Sequence, residues 1–135
     1  MDLMERRALL RTYANPDRKL DYIVTLSGHL PGIHTRGGGE RQRIVLRYVP
    51  DKLILETRSL GVYLEALAET VWSNPEDLAV TVLTDINNEV ITRWIEVAVD
   101  VPELQHHAVD THGVVIEDRQ PGWDNPALLK RLARI

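Results

Sequence analysis

Glu56 and Arg58 stand two positions apart in Glu56-Thr57-Arg58-Ser59, where a short apolar strand gives way to a helix. Anions and polar ligands are held at such junctions, because the first N–H groups of a helix have no partner inside it. The same side chains also read as solvated edge charge, with Arg58 paired to Glu56 or Glu65. A second candidate is Arg36-Gly37-Gly38-Gly39-Glu40-Arg41. Its backbone N–H groups and arginines could wrap a phosphate. It is neither a Walker nor a dinucleotide pattern, and it also reads as a flexible glycine hairpin. The chain has no cysteine, which removes thiolate nucleophiles, disulfides and cysteine metal sites.

The elements that position these residues follow from the pattern. The segment 1–19 is a charged arm with room for a short helix, ending in the turn signal Asn15-Pro16-Asp17. Leu20 to Leu26 alternates as a strand. Ser27 to Glu40, with five glycines and a proline, reads as a long loop. Arg41 to Val49 returns as a strand, and Lys52 to Thr57 is a short one apolar at Leu53 and Leu55. Ser59 is expected to cap a helix to about Val71, striped by Leu60, Tyr63, Leu64 and Leu67. Asn74 caps a second helix, with Pro75 first and Glu76 and Asp77 in its first turn, ending near Asn87-Asn88. Ile91 to Val101 alternates strictly, and Ala108 to Glu117 is a last strand interrupted by Gly113. Asn125-Pro126 opens a short terminal helix.

This order implies an α+β domain, ββααββ, with an antiparallel four-stranded sheet and two helices on one face. One face and both edges of such a sheet stay uncovered, which favours closure into an oligomeric β-barrel. A net charge of −4 argues against nonspecific nucleic-acid binding. No apolar run is long enough for a signal peptide or membrane span, so the expected location is cytoplasmic.

Element order and motifs together resemble the tunnelling-fold superfamily, and within it the NADPH-dependent 7-cyano-7-deazaguanine reductases, the nitrile reductases of queuosine biosynthesis. The resemblance runs from about Asp21 to Asp118. It rests on Asp21-Tyr22, on Tyr48-x-Pro50-Asp51, and on Glu56-Thr57-Arg58-Ser59-Leu60-x-x-Tyr63-Leu64. The family's cofactor motif reads Glu-x-Lys-Ser-Leu-Lys-x-Tyr there; Arg58 keeps the charge of the first lysine and Gly61 loses that of the second.

The resemblance implies one tunnelling-fold domain over 1–135, with an arm at 1–19, a core at 20–118 and a tail at 119–135. It implies a homo-oligomer binding a guanine-like or pterin-like heterocycle between subunits. Glu76 would anchor the ring, with Glu56 also on the substrate, and Glu40 would stand at the general-acid position. Arg58 and Ser59 would contact a cofactor, NADPH. The family's nucleophilic cysteine falls at about Ile33, where no thioimide can form; Thr35 or Ser27, with His29 or His34 as base, would be a poorer nucleophile. Glu76 also reads as a first-turn carboxylate favoured by the helix dipole. Two alternatives stand beside this: a non-catalytic binding or assembly module on the same fold, and a cyclohydrolase-like enzyme using zinc on His29, His34 and one of His106, His107 or His112. Against zinc, five histidines are not unusual for this length and the His29–His34 spacing is not a helical metal spacing. Trp72, Trp94 and Trp123 read as core or interface residues.

Overall fold

The structure, a computed structural model, describes residues 1–31, 42–102 and 106–133. Within them the elements run α1 (Leu3–Ala8), β1 (Thr12–Ala14), β2 (Val24–Leu30), β3 (Gln42–Val49), β4 (Leu53–Leu55), α2 (Thr57–Leu67), α3 (Pro75–Val90), β5 (Trp94–Pro102), β6 (Thr111–Arg119) and α4 (Pro126–Leu129). This is an α+β arrangement whose main sheet is antiparallel throughout, in the order β2-β3-β5-β6.

Period-2 alternation sorts the main sheet into two faces. Leu30, Ile44, Leu46, Tyr48, Ile95, Val97 and Val99 point toward the helices and are buried with Leu60, Tyr63, Leu64 and Leu67 of α2 and Leu78, Val82 and Ile86 of α3. Gly28 lets β2 and α2 come together, since a Cβ there would lie 3.0 Å from Leu64 Cδ1. The opposite face carries Arg43, Val45, Arg47 and Val49 beside Asp100, Ala98, Glu96 and Trp94.

That second face is not bare. Arg47 bonds Glu96 across the strands at 2.5 Å and donates to the Ala133 carbonyl at 2.8 Å. Asn125 and Trp123 are tied to Asp21 at 3.0 and 3.3 Å. The C-terminal segment is thus fixed at both ends against one half of this face, where Val49 and Trp94 are buried although they lie outside the helix-facing core.

Several boundaries differ from the sequence reading, each for a local reason. β2 begins at Val24 and runs on through Ser27 to Leu30, so this part of the expected loop is strand paired with β3; its remainder from 32 to 40 lies outside the described residues, as does Arg41. The short strand shrinks to Leu53–Leu55 and pairs with β1, a three-residue strand in the arm, rather than joining the main sheet. Helix α2 has its cap three residues earlier than expected. Its N-cap is Glu56, still extended at ψ 124°, and Ser59 sits inside the first turn. The helix stops at Leu67 rather than Val71. Gly113 does not interrupt β6; it pairs directly with Asp100 in an unbroken ladder. Asn74 caps α3 as its sequence predicts, accepting from Asp77 N–H at 2.8 Å, but the helix extends to Val90 and ends on Ile91 in the left-handed region, φ 54°.

Candidate functional site

Helices α2 and α3 run antiparallel across the sheet, which fixes where the candidate residues stand. Glu56 marks the start of α2, whose 11 residues span roughly 16 Å, and Glu76 follows beyond its end in the first turn of α3. Within one chain they form two sites at opposite ends of the sheet.

At the first end, Glu56 is half-buried and accepts from the Tyr13 hydroxyl at 2.9 Å. That bond holds the phenol proton and pushes the Tyr13 pKa up. The Glu56 side chain does not cap the first turn of α2, and among the described residues the N–H groups of Thr57, Arg58 and Ser59 have no side-chain acceptor. Arg58 is exposed, and no ion pair joins it to Glu56 or Glu65 among the described residues. Ser59 is buried: its hydroxyl accepts from Arg11 N–H at 3.0 Å and donates to the Glu56 carbonyl at 2.8 Å. It stitches the arm to the helix and turns away from solvent. An exposed guanidinium beside uncapped N–H groups can take an anionic oxygen.

At the other end, Glu76 occupies the first turn of α3 with its side chain 58% exposed. Its Oε1 lies 3.0 Å from Nε2 of His112 on β6. An exposed carboxylate at a helix start can accept N–H groups from a ligand. Glu40 lies outside the described residues, as do Ile33, His34 and Thr35; the segment that carries them leaves β2 at Pro31 and rejoins at Gln42, at this same end of the sheet.

On the opposite face, still at this end, the described residues form a cleft of ≈ 490 Å³. Ser27, His29, Arg43, Asp100 and Thr111 line it, with His29, Arg43, Asp100 and Gly113 side by side across four strands. Among the described residues no group of three or more His, Asp or Glu side chains gathers closely enough to hold a metal ion. His106 and His107 stack on each other in the turn before β6.

Two residues were not singled out from the sequence for the places they hold. Asp85 is buried under Arg6, Arg7 and Tyr63; a charged residue inside the apolar stripe Leu78-Val82-Ile86 was the available signal. The sequence offers His112 only as a possible metal ligand, and its pairing with Glu76 depends on β6 passing the start of α3, which spacing alone does not give.

No family model matches the chain. The chain is similar to the NADPH-dependent 7-cyano-7-deazaguanine reductase of Acidithiobacillus ferrooxidans, in two strains. Each is 26% identical over 136 residues, covering 93% of this chain and 88% of the relative. The likeness covers most of the chain and relates it distantly to that reductase. No helix among the described residues is long and apolar enough to cross a membrane.

Proposed function

We propose that the chain is a divergent tunnelling-fold protein that binds a guanine-like or pterin-like heterocycle between the subunits of a cytoplasmic homo-oligomer, in a role related to queuosine biosynthesis. The observation that carries this is the position of Glu76: an exposed carboxylate on the first turn of α3, in a chain similar over 93% of its length to a 7-cyano-7-deazaguanine reductase. A guanine-like edge presents an N–H and an amino group side by side, which suits a carboxylate acceptor. The separation of Glu76 from Glu56 and Arg58 along α2 supports a site completed by a neighbouring copy, where the two ends of different subunits can meet. Glu56 would then reach the substrate from the partner side, and Glu40 is the acid or base candidate.

Arg58 and the uncapped N–H groups of α2 fit a phosphate of NADPH, the cofactor in the relative's name. The buried Ser59 hydroxyl contributes through the position of the turn rather than by contact. Bound NADPH would supply hydride. The covalent thioimide route has no nucleophile here, because none of the 135 residues is cysteine; binding without that adduct is the activity proposed.

A thermal-shift and calorimetric panel of 7-cyano-7-deazaguanine, a pterin, NADPH and zinc tests the reading. A ligand at a hundred times its dissociation constant should add about 2.7 kcal/mol of stability. Binding of neither heterocycle refutes the proposal, and a zinc response with neither ring bound favours the metal-dependent alternative.

A further inference from the structure

The Glu76–His112 contact has a chemical direction. A carboxylate at neutral pH is acceptor-only. An N···O approach of 3.0 Å is therefore attractive only if Nε2 of His112 carries the proton. With the proton on Nε2, in that tautomer or as imidazolium, the contact draws the two side chains together. His112 stands on a strand, opposite Val101 in the β5–β6 ladder, with its side chain 33% exposed. Its backbone is fixed by sheet pairing, whereas Glu76 is a long, rotamer-rich side chain at 58% exposure. The rigid partner therefore orders the flexible one.

We propose that His112 is a positioning residue for Glu76, fixing the carboxylate as an outward-facing acceptor for the N–H groups of a bound heterocycle. The inference rests on the proposed role of Glu76 and extends it to a residue of another element. A carboxylate has about four lone-pair sites. His112 faces Oε1 at 3.0 Å, and Oε2 takes no hydrogen bond among the described residues. The remaining sites suffice for two ligand donors side by side. Holding the group before the ligand arrives removes part of the ordering cost of binding. The effect belongs to affinity and passes through Glu76.

The test is calorimetry with 7-cyano-7-deazaguanine on the full chain and on His112→Ala, His112→Gln, Glu76→Gln and the Glu76→Gln/His112→Ala pair, with long-range proton–nitrogen NMR of the free protein. The wild type should bind. His112→Ala should weaken binding on the order of tenfold. His112→Gln, whose amide N–H reaches the same place, should recover most of the loss. Because His112 acts through Glu76, the double variant should bind no more weakly than Glu76→Gln alone. NMR should find the His112 proton on Nε2. Wild-type binding with an unaffected His112→Ala, an added loss in the double variant, or a neutral ring protonated on Nδ1 each overturns the inference while leaving the Glu76 reading intact. Failure of the wild type to bind overturns that reading, and the inference with it. If His112→Ala does not fold, His112→Gln and the tautomer decide.

Discussion

The Tyr63 hydroxyl donates to Oδ2 of Asp85 at 2.6 Å, and both side chains are almost wholly buried. Two arginines of α1 complete the cluster: Arg6 Nε lies 2.5 Å from Oδ2 and Arg7 Nε 2.9 Å from Oδ1. One carboxylate thus joins the arm to both long helices.

Asp85 should be the most sensitive charged position in the fold. Burial pushes its pKa up, but the hydrogen bonds from Arg6, Tyr63 and Arg7 outweigh burial and hold it below the usual carboxylate range. With a depressed folded pKa, its stabilisation is full above the unfolded value of about 4 and is lost as pH falls through the folded value. Asp85→Asn should cost about 3 kcal/mol at neutral pH, the lower end for breaking a buried pair, since both arginines keep some solvent access. It should also flatten the decline in stability below about pH 4. Urea unfolding across that range measures both, and a variant within about 0.5 kcal/mol of wild type contradicts the assignment.

Ile91 predicts a gain. It closes α3 at φ 54°, a region that β-branched residues adopt only with strain, and the residue is 59% exposed. Asn87 already accepts from both the N–H and the hydroxyl of Thr92, so the turn is held independently of Ile91's side chain. Ile91→Asn should raise stability by about 1 kcal/mol. A lower melting temperature would mean that the exposed isoleucine makes contacts in the assembled state.

Glu76→Gln separates ligand anchoring from helix electrostatics. If the carboxylate receives ring N–H groups, binding should fall on the order of ten- to a hundredfold, from roughly 1.5–3 kcal/mol of lost charged hydrogen bonding. Stability should move by no more than about 0.5 kcal/mol. Unchanged affinity with a slightly lower melting temperature would assign Glu76 to the helix dipole alone.

Strands β2 and β6 end the main sheet, each with one pairing side unused among the described residues. Free edges of seven and nine residues invite pairing with another copy. Light scattering at micromolar concentration should give a mass above that of one chain. A monomeric mass would remove the intersubunit site.

Incubation with 7-cyano-7-deazaguanine and NADPH should leave the intact mass unchanged, because the chain contains no cysteine. A stable mass increase equal to the nitrile would identify another nucleophile and refute the binding-only reading.

The main sheet and the two long helices were legible because their signals are local. Ile95, Val97 and Val99 alternate without a break, and Asn74-Pro75 marks a helix start that the structure reproduces. The β1–β4 pair was not, since three residues are too few to display a period. Ser59 misled because serine favours caps, while here its hydroxyl is taken by Arg11 and Glu56. Asp85 and His112 depend on partners 79 and 36 positions away respectively (85 − 6 and 112 − 76), and no spacing rule reaches that far. For the candidate site, Glu76 and the opening of α2 were readable as helix starts, and their separation by the length of α2 was not.

The tie between Arg47 and Ala133 crosses 86 residues, and that between Asp21 and Asn125 crosses 104. During synthesis the helix-covered side of the sheet can close as soon as β6 has emerged, but the ties to Arg47 and Asp21 on the other side wait until the segment to Ala133 is made. Such long-range closure is slow relative to local folding. A nascent chain stalled shortly before it would present a part-finished, apolar sheet to holding chaperones.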